Sequence, residues 1–195
     1  MTDKQKEIDE RINLGELQYV RSLLINLKDK SKHQEDYWYD KTYLCFQVAI
    51  KRFNKNDIQL AKDLLLGYIN LRPNSYEAYP YLARCYDKLG DVDNRDKIYQ
   101  EILEWAMGDY NTGLDGFISS DNETAIQSLN LCIEKLSFFV EFVPTFYYVF
   151  KMRARCYHKL MQKSEAESDI KTYELKVTNN GPQPELTWTK DYNFK

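Results

Sequence analysis

A chain of 195 residues has the length of one ordinary domain or one short repeat array, enough to bury a sizeable core. Its 7 glycines and 5 prolines are about half the usual share, which excludes a turn-dense all-β design and a Gly-rich phosphate loop. With 27 basic against 30 acidic residues, a general phosphate-binding surface is excluded too, and no nucleic-acid partner is expected.

Two histidines, His33 and His158, cannot build a multi-His metal site, and neither a metal nor a cofactor is expected. The four cysteines, Cys45, Cys85, Cys132 and Cys156, have no CxxC spacing and sit in apolar helical contexts, so they read as reduced, buried thiols. The start of the chain, Met1-Thr2-Asp3-Lys4-Gln5-Lys6-Glu7, has no apolar leader run. The most apolar stretch, 138–150, is broken by Glu141 and Pro144 and is shorter than the ~20 apolar residues of a membrane span. A cytoplasmic protein with no membrane partner is the expectation.

In chain order, apolar periodicity predicts helices near 3–12, 16–29, 35–54, 57–71, 75–89, 92–107, 122–142, 145–161 and 163–177. Ile58, Leu60, Ala61, Leu64, Leu65, Tyr68 and Ile69 fall on one 3.6-residue stripe; Ala125, Ile126, Leu129, Cys132, Ile133 and Leu136 fall on another. Asn74-x-x-Glu77 and Ser120-x-x-Glu123 have capping-box spacing. Pro80, about a turn inside the fifth helix, predicts a kink or a late start near Tyr79, with the Tyr76 carbonyl left for water or a partner. Gly90 suits a left-handed turn residue before Asp91 opens the next helix. Residues 108–121 hold Gly108, Gly113 and Gly116 and predict a loop, with room for one short irregular helix where a regular first helix would sit; 178–195 predict an extended tail. No segment alternates convincingly, so no strand is expected.

The chain repeats itself. Ala83-Arg84-Cys85-Tyr86-x-Lys88-Leu89 recurs as Ala154-Arg155-Cys156-Tyr157-x-Lys159-Leu160, an offset of 71 shared by Pro73 and Pro144. That is close to two units of a ~34-residue helix–turn–helix period. With Tyr79, Leu82-Ala83, Tyr86, Gly90-Asp91, Tyr99 and Ile102 in one copy, and Val48-Ala49, Asn56-Asp57, Ala61, Leu65 and Tyr68 in the copy before it, the chain resembles the tetratricopeptide repeat family. A third copy offers Ala154, Tyr157, Ala166 and Ile170, and the N-terminal segment resembles a second helix with a degraded first. The resemblance implies an all-α, right-handed superhelical solenoid of antiparallel helix pairs, with nine to ten helices over 1–177. It departs from the family at Arg95, where a small residue is usual. There the guanidinium must reach the surface or find an acidic partner.

Catalysis finds no foothold. Cys156 and His158, two apart on a helix, point about 200° apart and cannot form a nucleophile–base pair. Asp91/Asp93 and Asp115/Asp121 sit where Asp caps helices, and no hydrolase, zincin, P-loop or dinucleotide motif occurs. No enzyme is expected.

The resemblance points to binding instead, because the first helix of each unit lines a concave surface in such solenoids. Groove residues implied this way are Tyr43 and Phe46, then Tyr81, Arg84 and Lys88, then Tyr148, Lys151, Arg155 and Lys159. Some family members clamp a peptide carboxylate with Lys and Arg four apart, as Lys151 and Arg155 are, but Tyr81 and Ile50 stand where the partnering asparagines belong. The function expected is a non-catalytic adaptor that binds an extended peptide or a partner helix in its concave groove, with an acidic, partly hydrophobic peptide favoured by the basic residues. The alternative is a homo-oligomeric structural protein assembling through Phe138, Phe139, Phe142, Phe146, Tyr147 and Phe150. An enzyme accessory or small-molecule binder comes third.

Overall fold

The computed structural model describes the backbone of residues 3–143 and 145–182, and side chains from residue 15 onward. Among the described residues eight α-helices follow one another: α1 (Asp3–Asn26), α2 (Glu35–Asn54), α3 (Ile58–Leu71), α4 (Tyr79–Leu89), α5 (Val92–Ile118), α6 (Asn122–Phe142), α7 (Tyr148–Lys159) and α8 (Lys163–Asn180). Single 3₁₀ turns stand at Lys30–Lys32 and Tyr76–Ala78. The all-α expectation holds, with no strand among the described residues and one or two helices fewer than foreseen.

Four turns share one geometry, and they explain the pairing. Asn56, Gly90, Ser120 and Met161 each take the left-handed conformation, with φ of 62°, 73°, 65° and 60°. Each donates its N–H to the carbonyl three residues back, at 2.9, 3.1, 3.4 and 3.1 Å. The following residue donates five back: Asp57 to Arg52 at 3.0 Å, Asp91 to Tyr86 at 3.0 Å, Asp121 to Gly116 at 2.8 Å and Gln162 to Tyr157 at 2.9 Å. This double bond closes the orphan carbonyls of the finished helix and turns the chain back sharply, so the next helix lies beside the last. Gly90 and Met161 are 71 residues apart, so the sequence repeat is a repeat of this turn.

Four positions beyond each turn's second residue come Ala61, Arg95, Ala125 and Ala166, each donating its N–H back to that residue's carbonyl at 2.9–3.2 Å. The alanines are buried at 0%, 0% and 8% exposure, letting the helices approach closely. Arg95 is the departure. It pairs with Asp87 at 2.9 Å and Asp96 at 2.8 Å, so both expected escapes, a surface position and an acidic partner, are used together.

Several expectations need correction. Gly15 does not divide the N-terminal segment, since α1 runs unbroken through it. Residues 108–118 are helix, not loop: the glycines are there for contact. A Cβ on Gly113 would stand 2.7 Å from Leu129, and one on Gly116 would stand 2.9 Å from the Ala125 backbone nitrogen, so α5 and α6 touch through them. Close packing outweighs the ~1 kcal/mol that glycine costs in a helix. Neither capping box forms. Ser120 is the left-handed turn residue and Asp121 caps α6 by accepting from the Thr124 N–H at 3.1 Å; Glu77 accepts the Tyr68 hydroxyl at 2.6 Å. Residues 178–180 extend α8 and Gly181 ends it (φ 83°); the rest of the expected tail, 183–195, lies outside the described residues.

Pro80 behaves as expected in starting α4 late, at Tyr79, behind a 3₁₀ turn. The Tyr76 carbonyl is not left over, because it accepts the Tyr79 N–H.

The chain forms two compact units, 1–100 and 101–195. In the first, Val20, Leu27, Cys45, Ala49, Leu64, Leu65, Tyr68 and Leu82 build the core. The Trp38 indole donates to the Leu27 carbonyl at 3.0 Å, tying α2 to the end of α1. In the second, Phe138, Phe139, Tyr147, Tyr148 and Val149 are buried with Leu129 and Leu136. Phe138 packs on Phe142, and Phe139 on Phe146. The aromatic run of 138–150 is therefore mainly core, with Phe142, Phe146 and Phe150 partly exposed.

Candidate functional site

Two helices of the first unit build a cation–aromatic surface. On α2, Phe46 and Phe53 are one heptad apart and so share a face with Tyr43 at its near end; on α4, Tyr81, Arg84 and Lys88 share another. The structure brings the two faces together. The Tyr81 ring meets Phe46 edge-on at 6.1 Å and Phe53 at 5.7 Å. The Arg84 guanidinium lies 4.7 Å from the Phe53 ring centre and 5.8 Å from that of Tyr81, while Lys88 Nζ is 5.7 Å from Phe53. Tyr43, 48% exposed, leans on Phe46 at 6.0 Å.

Phe46 itself is buried, at 8% exposure, against Tyr68. It is the floor of this surface rather than a contact residue, a correction to the sequence reading. Stacked cations of this kind gain about 0.5–1 kcal/mol each at exposed positions. The charges are also held in place, which reduces the side-chain entropy lost when a ligand binds.

Sequence reasoning missed Phe53, which carries two cations at once. The signal was available, because Phe46 and Phe53 lie seven apart on the stripe that also holds Ile50. It missed a second cluster as well. Lys30 stands 5.2 Å from the Trp38 ring and 4.8 Å from Tyr39, and Arg72 lies 4.9 Å from Tyr39. Tyr37 and Tyr39 are 45% and 39% exposed. Only the fold places Arg72, from the end of α3, over Tyr39.

The four remaining candidates sit on α7, in the second unit. Tyr148 is 1% exposed and belongs to the core, which corrects its reading as a groove contact. Lys151 lies between the rings of Tyr148 (5.5 Å) and Tyr173 (5.7 Å). Arg155 lines a small cavity with Cys132 and Cys156. Lys159 is exposed and borders two pockets lined by Leu114, Phe117, Ile118 and Ile126. The nine candidates are thus held as five in one unit and four in the other.

All four cysteines are free and buried. Burial pushes the Cys45 and Cys85 thiols up to about 11, which leaves little thiolate for nucleophilic work at neutral pH. Cys132 shares a hydrogen bond with Cys156, Sγ to Sγ 3.4 Å, and that bond with burial drives its thiol far above the ordinary range. Cys156 is buried while His158 two residues on is exposed, so the two point apart as the helical spacing requires. Among the described residues no group of three His, Cys, Asp or Glu side chains is placed to hold a metal, and no helix is long and apolar enough to cross a membrane.

No protein-family model matches the chain, and no curated protein matches it. Among solved structures it is similar to a crystal structure of MamA, at 15% identity and a TM-score of 0.37, over 92% of this chain and 96% of that one. A MamA RS-1 ArsTM double mutant gives 17% and 0.34, over 93% and 99%. MamA 41-end from Desulfovibrio magneticus RS-1 gives 16% and 0.33, over the same shares. Values this low assign the chain neither a family nor an activity.

Proposed function

We propose that the protein is a non-catalytic interaction module of the tetratricopeptide kind, binding an extended, acidic and partly hydrophobic peptide on the α2–α4 surface of its first unit. One observation carries the reading: Arg84 and Lys88 are both seated on the Phe53 ring, with Tyr81 beside them and exposed Tyr43 at the edge of the same aromatic floor. The cations attract carboxylates and steer their approach, and the rings offer rigid contact area with a hydroxyl at the rim. The turn repeat and the small residues beyond it support the tetratricopeptide reading. In the second unit, Lys151, Arg155 and Lys159 repeat the four-residue basic spacing on α7, and we assign them the same preference for acidic ligands.

Selection of random displayed peptides on the immobilised protein tests this. The reading expects enrichment of Asp and Glu around one or two Phe, Leu or Trp positions, with recovery falling as salt rises. Enrichment of basic peptides, or none over a blocked surface, would overturn it.

A further inference from the structure

We propose that the second unit contains a site for one soft monovalent metal ion of the Cu(I) class, formed by the thiols of Cys132 and Cys156 with the thioethers of Met107 and Met152. All four side chains line one cavity, together with Tyr110, Leu136 and Arg155. Three helices converge there: Met107 comes from α5, Cys132 from α6, and Met152 and Cys156 from α7. The two thiols are already in contact, Sγ to Sγ 3.4 Å, and each is 1% exposed.

Size and donor type select the occupant. The cavity measures about 20 Å³, room for one water-sized body and too little for an organic ligand. Soft sulfur donors favour Cu(I), zinc and iron–sulfur clusters, whereas calcium and magnesium demand oxygen ligands; zinc sites and clusters are completed by further Cys, His or carboxylate groups, and among the described residues none lines this cavity, which leaves Cu(I) with its taste for thioethers. With metal–sulfur bonds of about 2.3 Å, as for zinc thiolates, two sulfurs bound to one ion stand up to about 4.6 Å apart. The pair must therefore part slightly, and the cavity beside it provides the space.

The charges balance. Each thiol releases its proton to solvent as the ion replaces it, so Cu(I) with two thiolates is a monoanion, and no electron is transferred. Arg155, in the cavity wall, supplies the compensating positive charge. Cys132, Cys156 and Met152 are buried, whereas Met107 and Arg155 are partly exposed, so these two mark the way in.

The test is anaerobic titration of the reduced protein against Cu(I) held by the chromogenic chelator bicinchoninate. The expected result is removal of one equivalent of Cu(I) per chain, with about two protons released per ion in weak buffer. Cys132→Ala and Cys156→Ala should abolish removal, and Cys45→Ala should leave it unchanged. The volume-conserving double change Met107→Leu with Met152→Leu should weaken binding on the order of tenfold, the scale of a lost supporting contact. Should a cysteine variant unfold by circular dichroism, the methionine pair and the proton count decide. An intact chelator complex, uptake unchanged in Cys132→Ala or in the methionine pair, or uptake without proton release overturns the proposal.

Discussion

Arg153 and Asp169 form a two-pronged ion pair, Nε to Oδ2 and Nη2 to Oδ1 both at 2.7 Å, joining α7 to α8 inside the second unit. The third guanidinium nitrogen donates to Ser137 on α6 at 2.9 Å, and Ser137 donates onward to the Ile133 carbonyl at 2.7 Å. Asp169 is 5% exposed. Removing one partner leaves a buried charge uncompensated, at a cost of about 3–5 kcal/mol. Asp169→Leu and Arg153→Met should each be strongly destabilising in urea unfolding, and the double variant should lose much less than the sum of the two. Strict additivity would show that the charges act independently.

The left-handed turns give a paired test. Met161 holds φ 60° with a side chain 74% exposed, so it carries backbone strain with little packing in return. Met161→Gly should raise the unfolding free energy by up to about 1 kcal/mol, and Gly90→Ala should lower it by a similar amount. A change of the opposite sign at either position would contradict the turn geometry.

In α5 the glycines should respond in opposite ways. Nothing lies within 4 Å of a Cβ built on Gly108, whereas one on Gly116 would press to 2.9–3.0 Å on the Ala125 backbone. Gly108→Ala should stabilise by about 0.5–1 kcal/mol through helix propensity. Gly116→Ala should destabilise by about 1–3 kcal/mol through overpacking against backbone. Thermal unfolding ranks them, and equal effects would mean that 108–118 is not packed as described.

Alkali should weaken the fold. Burial holds Cys45 and Cys85 protonated up to about 11, against an ordinary 9.0, and raises Tyr110 to about 12; Tyr68 is raised to about 12 by burial and by its bond to Glu77, against an ordinary 10.0. Between those limits the unfolded chain binds fewer protons than the folded one, so stability falls as pH rises. Urea midpoints should hold steady to about pH 9 and fall from there to about pH 12, with a shallower fall in Tyr68→Phe. A flat profile across that range would contradict the burial of these groups.

The spans of α2, α3 and α6, the Pro80 start and the Gly90 turn were legible because each follows from local chemistry. The loop assigned to 108–121 failed because glycine is both a helix breaker and the residue of closest helix contact, and only the position of Ala125 distinguishes the two uses. Capping boxes failed for a related reason. A Glu three residues past Asn74 has the right spacing, but Tyr68, nine residues before it in the chain, takes its carboxylate. At the candidate surface, helical spacing placed Tyr81, Arg84 and Lys88 together. It did not tell Tyr43, exposed, from Phe46, which Tyr68 covers. Contacts made across helices from distant sequence, such as Arg72 over Tyr39 or Cys132 against Cys156, leave no local mark.

Binding of acidic ligands, as proposed, depends on Arg84 and Lys88 acting from the Phe53 ring. An array of synthetic peptides, varied in acidic and aromatic positions, is probed with the wild-type protein and with the double variant Arg84→Glu, Lys88→Glu, whose fold is checked by circular dichroism. Wild type should retain the acidic–aromatic peptides at about 50 mM salt and several-fold fewer at about 300 mM, where the screening length is shorter. The double variant should lose them at both. Equal retention by the two proteins, or retention indifferent to peptide charge, would contradict the assignment of this surface to acidic ligands.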